Sequence, residues 1–277
     1  MDVAFTLKKK LKFRKRWGWI GAKWRCHPDF IIIGAQKSGT TSLYNYMIQH
    51  PSILVASKKE IHYFDIRYQN GDLWYRSHFP FSFVAKKKTS ITGEASPYYL
   101  FHPHALTRIR QVIPETKIII LLRNPVDRAI SHFFHEKKRQ RETLIPEKAF
   151  QVEEERTGPE YTKMLEDPSY NSPVYKNFSY KKRGIYIDQI RRCYQEFPKE
   201  QVLVLKSEDF FLNPVKILNS VVHFLEIAPD FRPQHFEKFN VGSYTDQVSP
   251  DVIGSLKDYF YPHNQRLYQY LNCDFGW

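Results

Sequence analysis

One stretch constrains this chain more than any other. Phe30–Gly34 reads FIIIG, and the loop AQKSG that follows leads directly into a helical pattern beginning at Thr40. A short, unbroken apolar run is the mark of a strand buried on both faces, which demands helices over both sides of its sheet. A glycine-containing loop between such a strand and a helix offers backbone N–H groups and the positive helix end to an anion. The spacing of Gly34 and Gly39 is that of a phosphate-binding P-loop, with one departure. The Lys expected after the second Gly is replaced by Thr40, and Lys37 lies inside the loop instead. The missing Lys is the one that reaches the outer phosphates of a nucleoside triphosphate. A loop with Lys37 and the hydroxyls of Thr40, Thr41 and Ser42 suits a shorter anionic group.

The remainder alternates in the same way. Thr40–His50 reads as a helix with Leu43, Tyr46 and Met47 on its apolar face, stopping before Pro51. Pro103–Ile113 is a second helix and Lys117–Leu122 (KIIILL) a second buried strand. Asn124 is a good helix cap with Pro125 at the first helical position, where a missing N–H costs nothing, and that helix runs to about Lys138. Residues 139–180 are polar with scattered prolines and read as an insertion of loops and one helix. Gly184–Phe197 is helical, Gln201–Lys206 a strand, Asn213-Pro214 opens a helix to Leu225, and Ser249-Pro250 opens the last helix toward Leu271. Strands separated by helices predict an α/β domain over 29–277: a P-loop-like three-layer fold whose central, mainly parallel sheet is flanked by helices.

With 42% hydrophobic residues among 277, the chain can bury a sizeable core. Its formal net charge of +13 favours an acidic partner without choosing among polyanions, anionic membranes and phosphorylated small molecules. Cys26, Cys193 and Cys273 are sparse and widely separated, which fits a reducing compartment better than a disulfide framework. No apolar run approaches the roughly 20 residues of a membrane-spanning helix, and none follows the basic N-terminus as a signal peptide would require. The chain therefore reads as soluble. Residues 1–28 stand apart as a basic aromatic extension: KKKLKFRKR from Lys8 to Arg16, then Trp17, Trp19 and Trp24. Such a mixture suits an anionic membrane surface, and a solvated terminus is the simpler alternative. No specific nucleic-acid module is present.

GAQKSGTTS after FIII resembles the 5′-phosphosulfate loop of the sulfotransferases that use 3′-phosphoadenosine-5′-phosphosulfate (PAPS). IIILLRNPVDRAIS, from Ile118 to Ser131, resembles their 3′-phosphate segment. Lys59–Asp65 (KEIHYFD), Trp74-Tyr75, Gly93–Tyr98 (GEASPY) and the ending His263–Trp277 are similar to the heparan-sulfate-type N- and 3-O-sulfotransferase branch, and nearest to bacterial sulfotransferase-domain proteins. The resemblance implies PAPS as donor and 3′-phosphoadenosine-5′-phosphate (PAP) as product, with no metal required where Lys and Arg supply the charge. It assigns Lys37, Ser38, Gly39, Thr40, Thr41 and Ser42 to the phosphosulfate, and Arg123 and Ser131 to the 3′-phosphate. It implies the cytoplasm for a bacterial enzyme and the Golgi lumen for a piece of a eukaryotic one.

Sulfuryl transfer needs a nucleophile, a base for its proton and positive charge at the leaving phosphate. Lys37 is the expected cation. The resemblance makes Glu60 the base, while His62 falls on the same side of an extended segment and either orients Glu60, contacts the sulfuryl oxygens or is itself the base. Lys58 and Lys59 pull the pKa of Glu60 down and burial pushes it up. Two departures stand out. The 3-O branch has a Lys where this chain has Ala95, and a Lys-Gly pair where it has Val241-Gly242. Gly242, Ser243 and Tyr244, with Tyr186, are the expected substitutes at the 3′-phosphate. The expected acceptor walls are the insertion and Tyr170–Arg183, whose aromatic and basic residues fit an acidic glycan. A lipid or a small hydroxylated metabolite is the alternative acceptor. A P-loop kinase is disfavoured because neither KIIILL nor QVLVLK ends in Asp, and a binding-only relative remains as a third class.

Overall fold

The computed structural model describes residues 21–88, 90–229, 231–236 and 248–277. Five strands form its sheet: β1 (Phe30–Gly34), β2 (Ile53–Val55), β3 (Ile91–Ala95), β4 (Lys117–Leu122) and β5 (Val202–Lys206). Their order is β2-β3-β1-β4-β5 and every pairing is parallel. The helices are α1 (Thr40–Met47), α2 (Asp72–Arg76), α3 (Ser82–Lys88), α4 (Ala105–Val112), α5 (Pro125–Lys138), α6 (Pro146–Gln151), α7 (Glu153–Glu166), α8 (Pro173–Phe178), α9 (Tyr186–Glu196), α10 (Ser207–Leu212), α11 (Pro214–Phe224) and α12 (Pro250–Leu271).

Alternation along the strands builds the three layers. Ile31, Ile33, Ile118 and Ile120 face one way, onto Leu106 and Ile109 of α4, Ile187 and Ile190 of α9, and Leu267 of α12. Phe30, Ile32, Ile119 and Leu121 face the other way, onto Leu43 and Met47 of α1 and Leu218 and Val221 of α11. Both sets are withdrawn from water, so the hydrophobic effect fixes the sheet from two sides. β2 and β3 lie on one side of β1, with β4 and β5 on the other. The chain thus reverses its direction of travel at β1, which leaves a crevice at the carboxyl ends of the central strands, where open α/β sheets bind ligands.

Several boundaries differ from the expected ones. α1 stops at Met47 rather than His50, because the residues before Pro51 turn: the His50 ring accepts from Ser52 N at 3.0 Å and bonds the Ala228 carbonyl at 3.0 Å. The α4 helix begins at Ala105 rather than Pro103. The insertion expected to be loops around one helix holds three, α6 to α8. Its polar residues turn inward instead of outward. Glu153 is buried and accepts from the backbone N–H of Lys181 and Lys182 at 2.6 and 2.8 Å, while buried Glu142 takes the Tyr180 hydroxyl at 2.8 Å and Arg156 at 2.9 Å. The extension expected over 1–28 is packed from Gly21 onward. Arg25 donates to the Phe79 carbonyl at 2.7 Å and Cys26 N to that of Pro80 at 2.9 Å. The basic run from Lys8 to Arg16 lies outside the described residues, and all three cysteines are free.

β3 and β1 approach so closely that a Cβ on Gly93 would stand 2.5 Å from the fully buried Phe30 ring. Gly93→Ala is expected to lower the unfolding free energy by about 1–3 kcal/mol, read from urea denaturation beside the unaltered protein.

Candidate functional site

At the carboxyl end of β1 the chain turns through Ala35–Gly39 into α1. Lys37 adopts φ 71° and Gly39 φ 91°. Gly39 is obligatory for a second reason: a Cβ there would lie 2.7 Å from the Phe211 ring. The turn is held from behind, where the Ser207 hydroxyl donates to the Ser38 carbonyl at 2.8 Å. Arg123, just past β4, donates to the Lys37 carbonyl at 3.1 Å. Burial depresses the Lys37 pKa first, and the neighbouring Arg123 and Arg139 charges add to that. Cations crowded together under partial burial repel one another, and a bound anion relieves that repulsion.

The segment Glu60–Asp65 runs beside this turn without regular secondary structure, and β3 with the turn after it fixes its backbone. Glu60 N donates to the Ala95 carbonyl at 3.1 Å, His62 N to the Ser96 hydroxyl at 3.2 Å and Tyr63 N to the Tyr99 hydroxyl at 2.8 Å. Ser96 and Tyr99 in turn donate to Glu94, at 2.7 and 3.1 Å, and Tyr75 does so at 2.8 Å. Glu60 and His62 both take positive φ, 58° and 57°. For residues with a Cβ this conformation is strained and persists only where the surroundings impose it.

Three acidic and basic groups meet here. His62 Nδ1 lies 2.6 Å from the buried Asp65 carboxylate, and its Nε2 faces Glu60 Oε2 at 3.8 Å. Burial alone would depress the imidazole, but the hydrogen bond to Asp65 and the nearby Glu60 carboxylate outweigh it and raise the pKa. Glu60 is brought down to about 2, chiefly by the His62 imidazole 3.8 Å away and also by Lys59, against an opposing effect of burial. The largest influence, His62, is neither of the two read from the sequence: burial ranks next and Lys59 after it. Lys59 Nζ spans the two halves of the site, 2.8 Å from Thr41 Oγ1 on α1 and 2.6 Å from Glu60 Oε1.

Lys37, Gly39, Thr40, Thr41, Glu60, His62, Arg123 and Ser131 line one cavity of about 1040 Å³. Ser38 and Ser42 are buried beneath its surface, the Ser38 hydroxyl without a partner in this structure. Tyr186 is also buried away from the cavity. Its hydroxyl donates to the Arg123 carbonyl at 2.8 Å, so it holds the strand end that carries Arg123. Gly242, Ser243 and Tyr244 lie outside the described residues. The insertion supplies another wall, with Asn171, Ser172, Lys176 and Asn177, and Arg139, Arg141 and Arg183 add charge. Asp65 escaped the sequence reading, although its place three residues after His62 is what a turn needs to return a carboxylate to Nδ1.

A family model described as the sulfotransferase domain matches residues 27–260. The chain belongs to the PAPS-dependent sulfotransferases. This sulfotransferase is 31% identical to the crystal structure of a sulfotransferase from Alicyclobacillus acidocaldarius, at a TM-score of 0.68, covering 90% of this chain and 98% of that one. Among curated proteins it is 29% identical to the membrane-associated sulfotransferase kil1 of Dictyostelium discoideum, over 93% of this chain and 68% of the relative. It is also 29% identical to heparan sulfate glucosamine 3-O-sulfotransferase 5 of Homo sapiens, over 90% of this chain and 74% of the relative. The turn after β1 fits a phosphosulfate: Gln36, Lys37, Gly39 and Thr40 line the cavity, Lys37 lies among further cations, and the Ser38 hydroxyl beneath is unpartnered.

The pairing of His62 with Asp65 is open to a direct check. Because the imidazole pKa is raised in the folded protein, its charge stabilises the fold fully below the ordinary value of 6.5, and that contribution is lost as pH rises through the folded value. In Asp65→Asn the imidazole is expected to titrate lower than in the unaltered sulfotransferase, followed by NMR of the ring protons. An unchanged titration would mean that Asp65 does not carry the shift.

Proposed function

We propose that this sulfotransferase moves the sulfuryl group of PAPS to a hydroxyl of an acidic glycan, with Glu60 as the base and Lys37 at the leaving phosphate. The observation that carries the reading is Lys59, whose ammonium bonds both Thr41 in the anion cradle and the Glu60 carboxylate. The donor's cradle and the base are thereby held in one frame. PAPS supplies a sulfuryl group on a phosphate leaving group. Lys37, the N–H groups of the turn and Thr40 and Thr41 bind the phosphosulfate, while Arg123 and Ser131 bind the 3′-phosphate. As the acceptor oxygen bonds to sulfur and the bond from sulfur to the 5′-phosphate oxygen breaks, the acceptor proton passes to Glu60 and Lys37 neutralises the departing phosphate.

A carboxylate with a pKa near 2 is ionised but weakly basic. Binding of a multiply charged anion beside Lys59 offsets that lysine's share of the lowering, and so raises the basicity of Glu60 when the donor is present. His62, fixed by Asp65, orients the carboxylate and shares its charge.

Three features favour a glycan. The cavity is large, at about 1040 Å³, and its insertion wall is polar and basic. The curated relatives include enzymes named for heparan sulfate glucosamine. Third, Lys176 from α8 answers the departure at Ala95: burial lowers its pKa first, and the Asp65 and Glu60 charges act on it in the opposite sense. A cation on the insertion wall that feels the charges of Asp65 and Glu60 is the candidate to take the place of the one absent from β3.

The test is transfer of labelled sulfate from PAPS to heparan-type oligosaccharides, set beside simple phenols and alcohols, with PAP stabilisation of the fold measured in parallel. Turnover on the oligosaccharides supports the reading, and turnover on small alcohols alone would overturn the acceptor. Glu60→Gln is expected to lower kcat by about 10²–10⁴-fold while leaving the thermal shift with PAP intact. Lys176→Ala is expected to raise the KM for an acidic acceptor about tenfold, the loss of one charge-assisted contact, with a smaller change in kcat.

A further inference from the structure

The first described residues form a surface outside the lining of the cavity. The turn Ala22–Trp24 is pinned to the domain: Ala22 is buried, and Arg76 donates to the carbonyls of Lys23 and Arg25, both at 2.6 Å. On this rigid backbone the aromatic side chains point outward. Trp24 is 59% exposed and Phe83, at the start of α3, is 66% exposed. Phe83 stacks on Phe81 with ring centroids 5.4 Å apart. A Cβ on Gly21 would touch both Phe81 and Trp24 at 3.0 Å, so the rings form one group. Leu73, half exposed, lies on α2, which packs against the same turn.

Cations surround these rings. Lys23 Nζ sits 4.5 Å from the centre of the Trp24 ring. Lys86 is exposed on α3, one turn beyond Phe83 and on the same side of the helix. The chain joins this surface at Gly21, directly after the segment that carries KKKLKFRKR, Trp17 and Trp19. No residue of the patch lines the cavity.

A soluble macromolecular partner that read only charge would have no use for rings held in water. An anionic bilayer uses both features. Indole and phenyl groups settle at the head-group level, and lysines meet the lipid phosphates. We propose that this face docks the protein on an anionic membrane surface, with Trp24 and Phe83 entering the head-group layer and Lys23 and Lys86 meeting anionic lipid. A single weak anchor binds only marginally, whereas apolar insertion combined with a basic cluster gives stable attachment. The proposal is independent of the acceptor.

The test is co-sedimentation of the full chain with vesicles of phosphatidylcholine alone and of phosphatidylcholine with phosphatidylserine, at low and high salt. Salt-sensitive binding to the phosphatidylserine vesicles alone is expected. Trp24→Ser with Phe83→Ser is expected to weaken that binding by about tenfold, and Lys23→Glu with Lys86→Glu by more. All these variants should keep the unaltered thermal shift with PAP, which separates lost docking from lost fold. Failure to bind either vesicle at low salt would overturn the proposal. So would equal binding to heparin beads by the unaltered protein and the Trp24/Phe83 variant, combined with vesicle binding that ignores the aromatic substitutions, since that pattern describes a charge-only polyanion site.

Discussion

The active face of this enzyme hangs from a carboxylate that never meets substrate. Glu94 is completely buried at the end of β3 and accepts hydroxyls from Tyr75, Ser96 and Tyr99. Burial raises its pKa, and the three donors work against that rise. Ser96 and Tyr99 then use their oxygens to accept the backbone N–H groups of His62 and Tyr63. A segment with no helix or strand of its own thus acquires a fixed path from hydrogen bonds that converge on one buried carboxyl group. Such a network is rigid when every member is satisfied, and an unpaired member would be costly. It is also what imposes the positive φ angles at Glu60 and His62.

Around that scaffold the electrostatics are deliberately lopsided. Lys37, Arg123, Arg139 and Arg183 crowd one side of the cavity, and Glu60, His62 and Asp65 form a compact alternating group on the other. The first set is uncomfortable without an anion and the second is self-satisfied. On the proposed reading, a polyanion entering between them calms the cations and, through Lys59, alters the balance at Glu60. Charge thereby links occupancy of one half of the cavity to the chemistry of the other, and no movement of the backbone is required.

Much of this could be read from the chain because physical patterns are local. FIIIG and KIIILL can only be strands covered on both faces, and Asn124-Pro125, Asn213-Pro214 and Ser249-Pro250 each open a helix, with the capping side chain accepting a backbone N–H. β3 was hidden because ITGEA has no apolar run: Thr92 and Glu94 are buried by hydrogen bonding, not by hydrophobicity. The insertion misled for the same reason, its glutamates serving as internal acceptors for backbone and tyrosine donors. Asp65 joins the site through a turn whose three-residue spacing was there to be read but belonged to no motif, and Lys176, inside the expected Tyr170–Arg183 wall, reaches the cavity through the packing of α8, which spacing does not reveal.

The two sides of the cavity are built by different parts of the chain. The anion cradle and Glu60 are fixed to the strand ends, whereas α7 and α8 bring Met164 and Tyr175 to a separate apolar cluster with Tyr98 and Phe101. That cluster needs only bulk and oiliness from its members, so the polar residues it carries to the cavity are free to vary. On the proposed reading such an architecture is modular: substitutions among residues 160–177 would change the molecules admitted while the central β-sheet and the anion cradle stay as they are.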